Sequence, residues 1–366
     1  YVTPDSAIDE EARKRGTSVY FPTHAIPMLP EALSNGLCSL RPGVNRLTLT
    51  CEMQLNQAGE CIDYRIYESL IKSHARLDYD AVADFLDSGK KSISNKDIQK
   101  SLKLMQELMH LLEEKRKRRG AIQFEFSESS VEFDLKNRMT GMSKKFQSSS
   151  MKMIEQFMLE ANETVARHCI KRKLPALYRV HQPPSDLKLQ QLKKTLAHYG
   201  VNPKTVSLSD SYGFSRILSH LKELPQFEAL QVVLLRSMAL AVYQTRNGGH
   251  FGLAAEFYTH FTSPIRRYPD LMVHRALKKE LSSGNHKKSS RKRNIKQKHG
   301  EEIDRELALK CSQQERNAEK AELQSVDLMK CVFLEPHIGV DFQSIIRSLD
   351  SRQIRVELEP HALEWY

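Results

Sequence analysis

Residues 249–277, GHFGLAAEFYTHFTSPIRRYPDLMVHRAL, gather His250, His260, His274 and the adjacent pair Arg266–Arg267 around one Ser263–Pro264 step. A guanidinium offers planar donors that match a phosphate bidentately, and it keeps its charge at any working pH. Proline fixes φ at the entry to a helix, where unpaired backbone N–H groups also favour an anion. The pattern therefore describes a phosphate seat. Its rival is a structural ion pair between one of the arginines and Asp270 or a nearby acid, and spacing alone leaves the two open.

The histidines raise the question of a metal. Asp270 and His274 stand i, i+4 on one helical face, with His250 and His260 upstream. No second paired motif of the His-Glu-x-x-His kind accompanies them. Histidines satisfied inside the structure are the expectation, with a zinc hydrolase as a weak third option.

These residues need elements to hold them. Residues 47–55 alternate, with Leu47, Leu49, Cys51, Met53 and Leu55 inward, and the alternation resumes at Ile62, Tyr64 and Ile66 after a turn at 56–59, which predicts a hairpin. A helix is predicted from Tyr79 to Leu86, stopped by Gly89. Another carries Ile98, Leu102, Met105, Met109 and Leu112 on one face and ends at Gly120. Two short strands follow, Ile122/Phe124/Phe126 and Val131/Phe133/Leu135. Met151, Ile154, Met158, Ala161 and Val165 then trace a helical face. Residues 227–243 predict one buried helix, Pro264 opens another through Leu277, and a long one spans 301–329. Strands return at 343–346 and 354–358. The class is α+β, a helical body with β hairpins segregated to one side.

Composition narrows the partner. The 366 residues are 40% hydrophobic and 28% charged, with net charge +11. The stretch KKSSRKRNIKQK at 287–298 supplies seven basic residues and no acid, so the rest of the chain also stays positive. A solvated linker would explain that run, but the residual charge favours an anionic partner such as nucleic acid. No stretch reaches the roughly 18 apolar residues of a membrane span, and the first residues lack the marks of a signal peptide. The six cysteines form no Cys-x-x-Cys pair, which fits reduced thiols and a cytoplasmic location. Tyr1 in place of an initiator methionine, and an end at Tyr366 directly after Trp365, lead us to expect an excerpt of a longer protein.

HFTSPIRRYPDLMVHR at 260–275 resembles the signature of the RNase II/RNase R (RNB) family of exoribonucleases. RGTSVYFP at 15–22, IPMLPEALSNGLCSL at 26–40, SHARLDYDAV at 73–82, IEQFMLEAN at 154–162 and ALYRVH at 176–181 follow in the family's order. The similarity runs from residue 1 to about 330 and is closer to RNase R than to RNase II. It implies an RNB nuclease core over 1–330 and, over 331–366, the first strands of an OB-type RNA-binding domain.

The resemblance also implies chemistry. Such enzymes hydrolyse single-stranded RNA from the 3′ end to nucleoside 5′-monophosphates, processively, by a two-metal mechanism using Mg2+. Arg266 aligns with the catalytic arginine that binds the scissile phosphate, and Arg267 is its neighbour. Tyr79 matches a tyrosine near that phosphate, and Glu155 matches an acid that contacts the terminal ribose. Gln156 stands where the family carries a second acid. Tyr20 and Phe124 match aromatics that clamp stacked bases, although by residue type alone both read as core. The family's metal-binding aspartates are expected upstream of Tyr1, because residues 1–366 contain no Asp-x-Asp-Asp cluster and Asp5, Asp9 and Glu10 are too scattered. The 366 residues by themselves are accordingly expected to be inactive. Single-stranded RNA is the expected partner of a monomeric, cytoplasmic protein, with RNA-decay or ribosome-associated proteins as further candidates. The alternative is a non-catalytic RNA-binding relative.

Overall fold

A computed structural model describes residues 1–126, 128–134, 139–201, 208, 210–284, 303–349, 354–358 and 363–365. The basic run at 287–298, Leu135 and residues 301–302 lie outside the described residues.

The helices begin where short polar side chains can accept the first free N–H groups. Ser6 opens α1 (Ala7–Arg15), Asp78 opens α2 (Tyr79–Ser88), Asn95 opens α3 (Lys96–Arg119) and Ser148 opens α4 (Ser149–Arg172). Gly89 and Gly120 end α2 and α3 at φ 65° and 85°, the left-handed region that glycine enters without strain. At Gly120 a Cβ would also lie 2.6 Å from the Tyr212 backbone. Between α1 and α2 stand the short pair β1 (Val19–Tyr20) and β2 (Ala25–Ile26), then the long hairpin β3 (Asn45–Leu55) with β4 (Cys61–Lys72). A second hairpin, β5 (Glu128–Phe133) with β6 (Met139–Lys145), precedes α4. After β7 (Tyr178–Val180) come α5 (Asp186–His198), α6 (Ser211–Leu221) and α7 (Phe227–Ser237), and then β8 (Val242–Gln244), which returns to pair with β7. Helices α8 (Tyr268–Gly284) and α9 (Arg305–Leu334) follow, and β9 (Ser344–Leu349), β10 (Ile354–Leu358) and β11 (Leu363–Trp365) close as an antiparallel three-stranded sheet. This is the α+β class, helices with segregated hairpins, and no closed barrel forms among the described residues.

Helix α4 is the axis of the body. Met153 packs with Val82, Leu102 and Met109 of α2 and α3. About three turns further on, Val165 and Cys169 pack with Phe261, Val273 and Leu277, while Leu49, Cys51 and Ile66 of the long hairpin cover them. A second centre joins Ala12, Met28 and Leu29 to Tyr243, Tyr268, Leu307 and Cys311. Helices α5–α7 bury their own set around Phe214, Leu221 and Leu234.

Four expectations need correction. Residues 122–126 are extended but unpaired, because Ile122 donates its N–H to Gly252 and Gln231 bonds the backbone of Glu125 at both its N–H and C=O. The helix predicted through Tyr243 ends at Ser237, and Val242–Gln244 becomes a strand because β7 offers its edge. Leu47 and Ile62 are 70% and 59% exposed: Leu47 lies at the hairpin end opposite the turn, and a bulge at Gln54/Leu55 shifts the register beside Ile62. Of the apolar face assigned to α4, only Val165 is fully buried; Gln156, Glu160, Asn162, Glu163 and Thr164 are buried too, because neighbours surround the helix.

Candidate RNA-processing site

The arginine pair lies in a turn, not at the first position of a helix. Pro264 precedes α8 by four residues, and the N–H groups of Arg266 and Arg267 both point back to the Ser263 carbonyl at 3.2 and 3.1 Å. Asp270, wholly buried in the first turn of α8, pulls the turn closed. Its Oδ1 accepts from the Ser263 N–H at 2.7 Å and from Nη2 of Arg267 at 2.8 Å. Burial opposes the charge on Arg267, but Asp270 more than compensates, and the guanidinium stands above its ordinary pKa. Arg267 therefore realises the structural ion pair.

Arg266 does not. Its side chain is exposed, and its guanidinium makes no hydrogen bond or ion pair with a described residue. Only its backbone is held: the carbonyl accepts from Ser18 N–H at 2.9 Å and from Thr17 Oγ1 at 3.1 Å. The turn is rigid and the charge is free.

The surrounding histidines are satisfied and neutral. His274 Nε2 bonds the Phe261 carbonyl at 2.8 Å, and His260 Nδ1 meets the Tyr243 hydroxyl at 2.8 Å. His181 bonds the Ala239 carbonyl and Gly252 N–H, and His250 accepts from Leu253 N–H. Burial depresses all four pKa values, that of His250 to about 3. Among the described residues no group of three His, Cys, Asp or Glu could hold a metal ion. Asp9, the buried acid of α1, bonds Arg275 at 2.7 Å and the Tyr268 hydroxyl at 3.1 Å.

The other candidates fall into groups that the fold connects. Tyr20, 47% exposed, sits on β1 with its N–H on Glu322 of α9 at 2.7 Å, four residues beyond Gly16, whose carbonyl accepts from Tyr268 N–H. It thus shares a backbone segment with the arginine turn. Tyr79, also 47% exposed, opens α2, and its carbonyl accepts from the buried Ser150 hydroxyl at 2.7 Å. Ser150 lies in the first turn of α4, five residues before Glu155, so Tyr79 and Glu155 are fixed to each other. Glu155 accepts from Gln147 at 2.6 Å and lies 3.7 Å from Arg116. Gln156 is buried and accepts from Arg116 at 3.0 Å, so the position after Glu155 faces inward and serves packing. Phe124 is half-buried, stacked on the exposed Phe126 at 5.5 Å with 18° between planes.

Asn162 joins Glu155 to the arginine turn. It stands two helical turns further along α4, accepts from Phe261 N–H at 2.9 Å and donates to the Tyr258 hydroxyl at 3.1 Å. Asn162, Ser150 and Thr17 are the supporting residues that the motif alone did not single out. The available signal was polar residues where an apolar face was due, since a buried amide or hydroxyl persists only with partners.

Residues 1–283 match the family model described as RNB domain. Ribonuclease R 1 of Lactococcus lactis is 42% identical over 361 residues, 98% of this chain and 43% of that protein. Ribonuclease R of Escherichia coli K12 is 38% identical over 365 residues, 98% of this chain and 44% of that protein. The chain therefore spans less than half the length of these relatives. Mycoplasma genitalium RNase R, solved with ribose-methylated single-stranded RNA, is similar at TM-score 0.90 and 30% identity, over 100% of this chain and 56% of that one. In sequence, order of motifs and fold, the chain belongs to the RNB family.

Proposed function

We propose that this chain is the nuclease core of an RNase R-like enzyme that hydrolyses single-stranded RNA from the 3′ end, processively, to nucleoside 5′-monophosphates. The observation that carries the reading is Arg266: an unpaired, exposed guanidinium on a turn whose other charges are committed. Such a donor binds the scissile phosphate and gains strength as negative charge builds on its oxygens. The phenol of Tyr79 lies beside the same phosphate. Glu155 accepts from a hydroxyl of the terminal ribose. Tyr20 and Phe124 stack on bases without regard to identity, which suits continuous movement along RNA.

Magnesium belongs to the proposal as the Lewis acid of the reaction. The described residues do not fit it, because they present no cluster of three ligands and Asp9 is already engaged by Arg275. We assign its ligands upstream of Tyr1, and on that assignment residues 1–366 alone bind RNA without turnover. The proposed split places the nuclease core at 1–330 and the start of an OB-type RNA-binding domain at 331–366. The proposed setting is a monomer in the cytoplasm.

The test is release of 5′-monophosphates from a 3′-tailed single-stranded RNA by the native protein with magnesium. Stepwise release from the 3′ end is expected. Binding without release is the behaviour of a non-catalytic RNA-binding relative and would overturn the reading.

A further inference from the structure

One segment, Gly16–Tyr20, touches both the arginine turn and a base-stacking aromatic. At its start, Tyr268 N–H bonds the Gly16 carbonyl, Ser18 N–H bonds the Arg266 carbonyl, and Thr17 Oγ1 bonds that carbonyl again at 3.1 Å. At its end, the N–H of Tyr20 is held by Glu322 at 2.7 Å. Helix α9 runs alongside. Gln314 donates to the Lys14 carbonyl at 2.8 Å, and its Cβ sits 3.0 Å from where a Gly16 side chain would begin. Four extended residues from Gly16 to Tyr20 cover ~13 Å, and eight helical residues from Gln314 to Glu322 cover ~12 Å. The two lengths agree, so α9 holds the segment straight between two fixed points. Gly16 is required for this fit, since it combines φ +70° with no room for a side chain.

We infer that Thr17 and Glu322 are positioning residues: with α9 as backing, they make Gly16–Tyr20 a ruler that sets the spacing between the phosphate contact of Arg266 and the base contact of Tyr20. Neither side chain needs to touch RNA. Thr17 steadies the backbone from which the catalytic guanidinium projects. Glu322 holds the backbone that presents the Tyr20 ring. The ruler sets which phosphate lies at Arg266 when the last base is stacked. The inference rests on the proposed function and deepens it.

The test uses the native protein and two readouts. In Thr17→Val the shape stays and the hydroxyl goes; kcat falls roughly 2–10-fold, the value of one hydrogen bond, while KM stays within about twofold. Thr17→Ser restores kcat. Glu322→Ala lengthens the residual oligonucleotide, and Glu322→Gln, which keeps an acceptor, returns it to wild type. The second readout needs no turnover: an RNA with 2-aminopurine near its 3′ end is bound in EDTA, and its quenching by stacking is weaker in Glu322→Ala. A wild type that quenches but releases no nucleotide defeats the nuclease reading, while the quenching still decides the ruler. Wild-type kcat in Thr17→Val, or a wild-type ladder with wild-type quenching in Glu322→Ala, overturns the inference. So does a loss in Thr17→Val that comes with a lower Tm and is not repaired by serine.

Discussion

Two clusters of basic residues stand at helix ends in this molecule, and they are used oppositely. At the C-terminus of α3, Lys115 bonds Glu160 at 2.8 Å, Arg116 bonds Gln156, and Arg119 bonds both oxygens of Glu163 at 2.7 Å. Each cation faces the negative end of a helix dipole, and α4 supplies the acids. Ahead of α8 the two arginines meet one buried acid, Asp270, which takes Arg267 and leaves Arg266 outside. A cation before a helix N-terminus opposes the dipole, so the fold gains nothing from it. Stability explains the α3 cluster. It does not explain Arg266, which the proposed phosphate contact would.

The comparison breaks most visibly at Arg267. Arg267→Ala leaves the wholly buried Asp270 carboxylate without its cation, a loss of about 3–5 kcal/mol of stability. Urea unfolding of the native protein measures it. Adding Asp270→Asn in the same chain recovers part of the loss, and an unchanged midpoint in the single variant would mean that the pair is solvated. Glu163→Ala should behave in the same way, because it strands Arg119.

Arg266→Ala inverts that outcome. The urea midpoint stays put, while kcat falls by ~10²–10³ with RNA affinity little changed, because the guanidinium acts on charge that grows in the transition state. Turnover on poly(A) within a few-fold of wild type would remove the catalytic role.

Replacing Tyr20 and Phe124 together by Ala costs roughly 1–3 kcal/mol per stacked base. The residual oligonucleotide lengthens, whatever its sequence. An unchanged ladder on a sequencing gel would return both side chains to packing, where Phe124 already has a partner in Phe126.

Local structure was largely legible because it follows local rules. Gly89 and Gly120 marked helix ends that the structure keeps. The arginine turn was legible as a motif and ambiguous as chemistry, since only the third dimension brings Thr17 to Arg266, 249 residues apart. Helix α4 was read for its apolar spacing, yet what ties it to the arginine turn and to Tyr79 is Asn162 and Ser150, whose partners are remote in sequence. Phe227–Tyr243 reads as one apolar helix, but its last residues answer to the edge of β7.

The smallest effect separates the two regions by pH. His181, His250, His260 and His274 have folded pKa values depressed by burial, so each is neutral in the fold and takes up its proton more readily when unfolded. The unfolded form binds more protons below the ordinary histidine value of ~6.5. Stability from these groups is therefore complete above that pH and declines as pH falls through it. From pH 7.5 to 6.5 the four together account for a loss on the order of 1 kcal/mol. Glu160 answers with the opposite sign: burial, outweighing its bond to Lys115, raises its folded pKa, so acid relieves the cost of its buried charge. Hydrogen exchange followed by mass spectrometry at stepped pH should show amides of 242–275 losing protection first, while those of α3 and α4 hold theirs. The intrinsic slowing of exchange with acid is removed by reference to unfolded peptides. Equal loss in both regions would mean that the four imidazoles titrate in water, and that the site around Arg266 is wetter than its hydrogen bonds imply.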